Sequence, residues 1–182
     1  MRYVALLRGI NVGGKSIVRM ADLKECVEAL GYDDVSTFIA SGNVLFESRK
    51  SAAKLESELE KALEKRFGLP IAVVVRSRAE LGRIVKAIPS DWIGNHSLRV
   101  NVAFLRRTLD GRKLARELEP REGVDELVVT KAAVIWATRR NALTRSGMQK
   151  LVGGAAYRDM TVRNLNTTLK LQELLATKPG RR

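Results

Sequence analysis

The chain has 182 residues, of which 45% are hydrophobic and 29% are charged, with a net charge of +13 at neutral pH. This composition is typical of a globular protein with one core or two small ones, and it excludes a disordered chain. No run of eighteen apolar residues occurs, and residues 1–8 do not resemble a signal peptide, so we expect a cytoplasmic protein without a membrane span. The single cysteine, Cys26, excludes an intramolecular disulfide and a thiolate metal cluster.

The first half of the chain predicts seven elements in the order β-α-β-β-α-β-α. They are a strand at 2–8, a helix at 20–30, strands at 35–39 and 44–47, a helix at 52–67, a strand at 71–75 and a helix between Ser77 and Pro89. Short apolar runs favour buried strands, whereas apolar residues at helical spacing favour helices. Gly42 and Asn43 are expected to accept a positive φ in the hairpin turn, and Ser77 with Glu80 forms a capping box.

A similar order returns in the second half. It comprises a strand at 99–105, a short helix capped by Asp110, hairpin strands at 124–130 and 133–138, a helix around 144–152, a poorly alternating strand at 157–163 and a final helix at 165–175. Corresponding elements lie about 87 to 96 residues apart, which indicates an internal duplication. We therefore predict an α+β fold with two ferredoxin-like βαββαβ units in tandem, each followed by a helix. The predicted halves are 1–88 and 98–176, with a tail at 177–182.

Several kinds of catalytic site are disfavoured by the residues present. His96 is the only histidine, so the chain cannot build a two-histidine metal site, and histidine-based and thiol-based catalysis are disfavoured. There is no Gly-x-Ser-x-Gly motif. The adjacent carboxylates Asp33 and Asp34 come after a helix end, which favours a solvated turn. The sequence thus predicts no metal and no cofactor, and it leaves open whether the chain is an enzyme.

The glycine-rich loop at 9–16 matches the phosphate-binding pattern G-x-x-x-x-G-K-[ST] and comes after a strand. That mechanism needs a helix to open directly after the loop, but the helical pattern begins only at Met20. The next strands form a hairpin, and no apolar strand ends in an aspartate that could hold magnesium. A P-loop NTPase is therefore disfavoured. The loop either serves only its own turns or holds another anion.

A second dense polar cluster lies at 161–168, where a helix is predicted to begin. Threonine and asparagine are good helix caps, so a purely structural role is one interpretation. Six polar side chains crowd this single helix start, however, and one helix needs only one cap. A helix N-terminus beside Arg163 is also a competent anion site, because its N–H groups and dipole add to the guanidinium.

Four motifs of the chain resemble the bacterial domain-of-unknown-function 1697 family. They are the segment 5–15, the segment 20–23, the Ser-Gly-Asn turn at 41–43, and the segment 161–167 with Lys170 and Leu171. The family commonly has an aromatic residue where this chain has Leu165. The resemblance implies that the polar residues of these motifs belong to one shared pattern. The family has no established activity, so the resemblance supports the fold and leaves the function open.

Our first hypothesis is that the loop at 9–15, the turn at 41–43 and the helix start at 161–168 converge on one polar pocket. All three segments are rich in side chains that neutralise or orient anions. The expected ligand is a small anion, phosphate-bearing or nucleotide-like. The predicted ligand-binding residues are Arg8, Asn11, Lys15, Ser41, Asn43, Thr161, Arg163, Asn164 and Asn166.

The alternative is nucleic-acid binding through the basic last third of the chain. From Leu127 to the end there are eleven Lys and Arg residues and two Asp and Glu residues. The predicted contact residues are Arg139, Arg140, Arg145, Lys150 and Arg158. An aromatic content of 5%, without the interleaved aromatics of an RNA-recognition sheet, argues against this alternative. An interaction protein without a small-molecule ligand is a third interpretation.

Overall fold

The computed structural model describes residues 1–13 and 17–177. The chain divides into two compact units: unit 1 comprises Met1–Leu81 and the C-terminal residues from Leu171, and unit 2 comprises Gly82–Lys170. No helix within the described ranges is long and apolar enough to cross a membrane. The predicted tail at 177–182 lies outside the described residues except for Thr177.

The sheet of unit 1 has four antiparallel strands in the spatial order β2-β3-β1-β4. The strands are β1 (Arg2–Leu7), β2 (Asp33–Phe38), β3 (Asn43–Glu47) and β4 (Val73–Ser77), and the helices are α1 (Met20–Glu28), α2 (Ala52–Phe67) and α3 (Arg78–Lys86), whose residues from Gly82 belong to unit 2. This is the strand order of a ferredoxin-like βαββαβ unit, here extended by α3. The element order predicted for the first half is confirmed.

Helices α1 and α2 supply the core of unit 1, because each carries an apolar stripe on one side. The buried leucines and valine of this stripe are Leu23, Val27, Leu55, Leu59 and Leu63. They belong to the same buried cluster as Tyr3 and Phe46 of the sheet, and each such side chain contributes about 2 kcal/mol on leaving water. Helix α2 begins after Ser51, whose hydroxyl accepts a hydrogen bond from the Lys54 N–H, and it ends at Gly68 with a φ of 67°. The predicted helix at 52–67 is thus confirmed.

The outer edge of β4 is closed by glutamate side chains. Three N–H groups of β4 point away from β1: Val73 donates to Glu60 at 2.9 Å, Val75 to Glu56 at 2.9 Å and Ser77 to Glu80 at 2.8 Å. The Ser77 hydroxyl in turn accepts from the Glu80 N–H at 3.2 Å, so the predicted capping box is confirmed. An edge strand with open N–H groups invites pairing with another chain, and these carboxylates block that pairing.

The sheet of unit 2 repeats the topology, with antiparallel strands in the order β6-β7-β5-β8. The strands are β5 (Leu98–Leu105), β6 (Asp125–Val129), β7 (Ala133–Arg139) and β8 (Met160–Asn164), and the helices are α4 (Gly111–Leu114), α5 (Gln149–Gly153) and α6 (Leu165–Ala176), whose residues from Leu171 belong to unit 1. The predicted α+β fold with a duplicated ferredoxin-like unit is confirmed.

The strand register is repeated as well as the strand order. In unit 1, Tyr3 of β1 lies opposite Phe46 of β3 and Ser77 of β4. In unit 2, Asn101 of β5 lies opposite Trp136 of β7 and Asn164 of β8. We call these two sets the equivalent rows. Since Ser77 and Asn164 both stand directly before a helix, the rows fix which residues of the two units correspond.

The two units differ most in the segment that follows the hairpin, which joins β3 to β4 in unit 1 and β7 to β8 in unit 2. Where one helix was expected around 144–152, the structure has a 3₁₀ segment at Arg140–Arg145 and the short helix α5. The expected strand at 157–163 is also wrong at its start, because Ala155–Asp159 is a 3₁₀ helix and the strand is β8. A Cβ atom on Gly147 would lie 1.8 Å from the Glu119 carbonyl oxygen, so this segment passes too close to its neighbour for a regular helix with side chains at that point.

The hairpin turn of unit 1 departs from the prediction in one detail. Gly42 has a φ of 76°, as expected, but the second positive φ belongs to Ile39, at 50°, and not to Asn43. Asn43 is the first residue of β3, and its side chain donates to the Phe38 carbonyl at 2.9 Å. The asparagine therefore shapes the turn through its side chain and not through its own backbone.

Candidate functional site: two grooves of unit 2

Two grooves lie in unit 2, and β5 contributes to both. The first, which we call the end groove, lies where β5 begins and β8 ends and has a volume of about 310 Å³. It is lined by the loop before β5, the residue after β7 and the start of α6. Its polar lining residues are Asn95, His96, Arg99, Asn101, Arg140, Asn164 and Asn166.

The loop before β5 is held in place by its own side chains. The buried Trp92 donates from its ring N–H to the Glu126 carboxylate at 3.1 Å. The Asn95 side-chain oxygen accepts from the N–H of Ser97 at 3.0 Å and from its hydroxyl at 2.6 Å. Because these bonds fix the loop, His96 is presented at the groove as an exposed side chain.

Two arginines give the end groove its charge. Arg99 projects from β5, and Arg140 comes directly after β7, where its N–H donates to the Ser97 carbonyl at 2.9 Å. Both side chains are exposed, and neither has a carboxylate partner within the described part of the chain. Two uncompensated guanidinium groups at one groove create a positive potential that attracts anions.

Asn164 connects the groove to the start of α6. Its side-chain oxygen accepts from the Thr167 N–H at 2.8 Å, so it caps the helix. The Thr168 hydroxyl donates to the Asn164 carbonyl at 3.0 Å. Among the described residues, the side-chain NH₂ group of Asn164 has no hydrogen-bond acceptor. That group and the exposed amide of Asn166 are therefore available to a ligand in the groove.

The second groove, which we call the face groove, lies on one face of the sheet and has a volume of about 420 Å³. Its sheet residues occupy alternate positions of three strands: Arg99 and Asn101 of β5, Trp136 and Thr138 of β7, and Val162 of β8. Its remaining residues come from the segment 143–149 and from Tyr157. Arg99 and Asn101 line both grooves, so the two grooves meet at β5.

A buried carboxylate holds the segment that borders the face groove. Asp125 accepts hydrogen bonds from the Ser146 hydroxyl at 2.7 Å, the Thr138 hydroxyl at 2.8 Å, the Gly147 N–H at 2.9 Å and the Arg121 N–H at 3.0 Å. Burial alone would raise the pKa of this carboxyl, but the four hydrogen bonds outweigh burial and lower it. Asp125 therefore acts as a charged anchor between the β6–β7 hairpin and the groove wall.

The predicted site residues of unit 1 hold their own loops together. A Cβ atom on Gly42 would lie 2.6 Å from the Ile10 side chain, so the glycine-rich loop and the turn at 41–43 do meet. The Asn11 amide donates to the carbonyls of Ala40 at 2.8 Å and Val18 at 2.9 Å, and its oxygen accepts from the Val18 N–H at 2.8 Å. The side chain of Asn11 thus fixes the backbone around it.

The other predicted residues of unit 1 show the same pattern. Besides its bond to the Phe38 carbonyl, Asn43 donates to the Ser41 hydroxyl at 3.1 Å, and it is fully buried. Arg8 comes directly after β1 and is half-buried. Lys15 lies outside the described residues. The pocket predicted to combine these residues with 161–168 stays a prediction.

Thr161 and Arg163 of β8 are buried and line neither groove. The Arg163 guanidinium donates to the Thr161 hydroxyl at 2.8 Å and to the Val162 carbonyl at 2.9 Å. Burial lowers the pKa of Arg163 to about 10, against a smaller raising effect of Tyr157, which leaves the side chain charged at neutral pH. In unit 1, Arg76 lies opposite Val4 as Arg163 lies opposite Val102, so a buried arginine recurs in both units.

The residues of the nucleic-acid alternative are spread over several segments of unit 2. All five are exposed: Arg139, Arg140, Arg145, Lys150 and Arg158. Lys150 is paired with Glu119, and the Arg158 side chain lies 3.8 Å from the Asp159 carboxylate. Exposed pairs of this kind are weak, but they reduce the local positive charge. Nucleic-acid binding stays a prediction.

Sequence analysis did not identify Arg99, Asn101 or Trp136 as site residues. One signal was present, because the apolar alternation of β5 at Val100, Val102 and Phe104 leaves Arg99 and Asn101 on the opposite face. A sheet face that carries an arginine and an asparagine is unlike a fully buried one, because burying these polar side chains without partners costs free energy. Which strand and segment would complete the groove could not be read from that alternation.

Comparison with known proteins agrees with this architecture. A solved structure of a conserved bacterial protein from Streptococcus pneumoniae is similar, with a TM-score of 0.84 and 28% sequence identity over 96% of this chain and 98% of that one. A search of curated proteins found no match. Residues 1–136 match the family described as proteins of unknown function, DUF1697, and the resemblance carried by the sequence motifs is confirmed. The chain therefore belongs to the DUF1697 family.

Proposed function

We propose that unit 2 binds a small anionic ligand, such as a phosphate-bearing metabolite, in the end groove. The observation that carries this proposal is the meeting of Arg99 and Arg140 with the amides of Asn164 and Asn166 around one groove. A volume of about 310 Å³ suits a small molecule. The proposal uses Asn164 and Asn166 from the residue set predicted from the sequence.

The chemistry of the groove suits an oxyanion. Each guanidinium offers parallel N–H groups that match two oxygens of a phosphate or carboxylate, and such charge-assisted bonds are about twice as strong as neutral ones. The start of α6 adds the partial positive charge of a helix N-terminus. The asparagine amides donate directional hydrogen bonds and fix the orientation of the ligand.

The test uses the two tryptophans of the chain as reporters. Trp92 lines the end groove and Trp136 lines the face groove. Protein labelled with 5-fluorotryptophan gives one ¹⁹F resonance for each, assigned with the Trp92→Phe and Trp136→Phe variants. On titration with inorganic phosphate and pyrophosphate at constant ionic strength, we expect a saturable shift of the Trp92 resonance.

Substitutions of the arginines decide whether the groove is the binding site. Arg99→Gln and Arg140→Gln should each weaken binding at least about tenfold, because each removes a charge-assisted pair. Arg112→Gln is the matched control, since Arg112 is exposed at the start of α4 and lines neither groove. A non-saturating shift, or an equal loss of affinity in all three variants, would refute the proposal and indicate diffuse electrostatic attraction.

A further inference from the structure

Strand β6 stands at the edge of the sheet of unit 2 and pairs with β7 on one side only. The Thr130 N–H donates to the Ala133 carbonyl at 2.9 Å, so Thr130 faces β7. Because backbone groups alternate in direction along an antiparallel strand, the N–H and C=O groups of Leu127 and Val129 point outward. Within the described residues, neither of these two N–H groups has an acceptor. The outer edge of β6 is therefore open for pairing with another strand.

The outer strands of unit 1, β2 and β4, are both protected against such pairing. Glutamate side chains close the edge of β4, as described above. The register of β2 is broken between Asp33 and Ser36, where Asp34 has a φ of 50° and pairs with Arg2 at 2.8 Å. Bulges and charged side chains are common devices by which edge strands avoid pairing.

The other outer strand of unit 2, β8, is partly occupied at its edge. Val162 lies opposite Ala103 as Val75 lies opposite Ala5, so the Val162 carbonyl points outward, and the Arg163 guanidinium donates to it at 2.9 Å.

The centre of β6 carries no such protection. Its register with β7 is unbroken from Asp125 to Val129. The consecutive residues Leu127, Val128 and Val129 are apolar and half-buried, so both faces of the strand are apolar next to the open backbone groups. An edge strand of this kind is a template for another strand.

We propose that β6 pairs with β6 of a second copy of this chain, antiparallel and about a two-fold axis at Val128, so that the two sheets of unit 2 join into one continuous sheet. The proposal does not depend on the function of the end groove. About this axis, Leu127 of each copy lies opposite Val129 of the other. The outward N–H and C=O groups of both residues then bond across the axis, and every contact occurs twice.

The charges at the two ends of β6 favour a second copy over an unrelated strand. Glu126 is exposed near the start of the strand, and Lys131 is exposed just beyond its end. About the axis at Val128, Glu126 of one copy lies opposite Thr130 of the other, next to Lys131. Opposite charges therefore approach each other at both ends of the pair, where they stabilise it. The strand is thus complementary to itself in charge as well as in its apolar centre.

Sedimentation equilibrium tests the proposal in about 0.3 M salt, which screens the net charge of +13. We expect the mass to rise with protein concentration from the 20.2 kDa monomer towards twice that value. The test variant is Val129→Pro, because proline removes an outward N–H without removing a bond to β7, a position that proline tolerates in edge strands. The two-fold axis removes this bond twice, so association should weaken at least about tenfold.

Thr37→Pro is the matched control. Thr37 lies opposite Val44 in unit 1 as Val129 lies opposite Val134 in unit 2, so the two prolines occupy equivalent positions of outer strands. Association should be unchanged in this variant, and urea denaturation shows whether each variant is folded. A wild type that stays monomeric at all concentrations would overturn the proposal, as would a folded Val129→Pro protein that associates as tightly as Thr37→Pro.

A disulfide test covers the case in which a proline variant does not fold. The axis places Val128 opposite its own copy in a non-hydrogen-bonded pair, whose Cβ atoms lie about 4.5 Å apart, close enough for a disulfide. In a Cys26→Ser background, Val128→Cys should form a covalent dimer on mild oxidation. Ser36→Cys, at the equivalent position of β2 and exposed, should stay monomeric. A Val128→Cys protein that crosslinks no faster than Ser36→Cys would overturn the two-fold pairing.

Discussion

The two units share strand order and register, but they cover the same face of the sheet with different material. Unit 1 uses the nine-residue α1 and the sixteen-residue α2, whose apolar stripes bury the face completely. Unit 2 uses a four-residue α4, a five-residue α5 and short 3₁₀ segments. The comparison indicates that unit 1 is built for packing, whereas the thinner cover of unit 2 leaves grooves where polar side chains reach the surface.

The outer edge strands of the two sheets, β4 and β8, also differ in how much of them the neighbouring helix covers. Three glutamates satisfy the outward N–H groups of β4, and two of them come from the long helix α2. In β8, no carboxylate of the described residues accepts from the equivalent N–H groups of Met160, Val162 and Asn164, and the short α5 contains no acidic residue. Val162 of β8 instead lines the face groove. The length of α2 thus places two carboxylates along the edge of β4, which the short α5 cannot do for β8.

The largest effect is expected from Asp125→Ala, which removes the anchor of the unit 2 cover. Four donors lose their acceptor at once: the hydroxyls of Ser146 and Thr138 and the N–H groups of Arg121 and Gly147. The free energy of unfolding should fall by about 4 kcal/mol. Urea denaturation monitored by tryptophan fluorescence measures the loss, because both tryptophans lie in unit 2.

Glu122→Ala serves as the control for this prediction, since Glu122 is exposed in the neighbouring loop. It should change stability by less than about 0.5 kcal/mol. An equally small effect of Asp125→Ala would show that the unit 2 cover does not depend on this carboxylate.

The next largest effect is expected from Glu56→Ala, which opens the edge of β4. Glu56 is 7% exposed; its carboxylate accepts from the Val75 N–H, and one of its oxygens lies 3.7 Å from the buried Arg76 guanidinium. Removing it leaves a buried N–H unpaired and weakens a buried ion pair, at a cost of about 3 kcal/mol. Hydrogen exchange of the Val75 amide should accelerate strongly. Glu64→Ala, on the exposed side of α2, should leave that exchange rate unchanged.

The sequence predicted unit 1 better than unit 2 because the signals in unit 1 are local. Ser77 and Glu80 lie three residues apart, and Gly68 comes directly after the last residue of α2, so a short window contains both the element and its end. The segment 140–159 is less well specified by such local signals. Its path depends on Asp125, which precedes Ser146 by twenty-one residues, and on the close approach of Gly147 to Glu119.

The residues of the candidate site show the same difference between local and long-range signals. Asn164 and Asn166 were identified because polar residues crowd one helix start, a local pattern. Arg99 and Trp136 were not identified, because their proximity arises from the pairing of β5 with β7. Asn11 and Asn43 show the converse: their residue types suit a ligand, but their amides are used by the backbone of their own loops. The hydrogen-bond partners of these asparagines, which their residue types do not reveal, show which of the side chains are available to a ligand.

A smaller effect is expected in the pH dependence of stability, and it again tests the anchoring role of Asp125 in unit 2. The pKa of Asp125 is lowered in the folded protein, so the unfolded chain binds this proton more readily than the folded one. Its stabilising contribution is complete above the ordinary aspartate pKa of about 3.9 and is lost as pH falls through the lower folded value. The difference in Tm between the wild type and Asp125→Asn should therefore shrink below about pH 4. A difference that stays constant down to pH 2 would contradict the assignment.

The smallest expected effect compares the two helix caps of the equivalent rows. Ser77→Ala and Asn164→Ala should each cost about 1 kcal/mol of stability, since each removes one cap hydrogen bond. Only Asn164→Ala should also weaken phosphate binding, because Asn164 lines the end groove whereas Ser77 belongs to unit 1. Urea denaturation and the ¹⁹F titration measure the two quantities on the same samples. If both variants lose the same stability but only Asn164→Ala loses phosphate affinity, Asn164 is both a helix cap and a ligand-binding residue. If the two variants bind phosphate equally well, Asn164 is a helix cap only. The two residues occupy equivalent positions in the strand register, and each comes directly before a helix. A difference in phosphate affinity between the two variants therefore comes from the groove and not from the position of the residue in the fold.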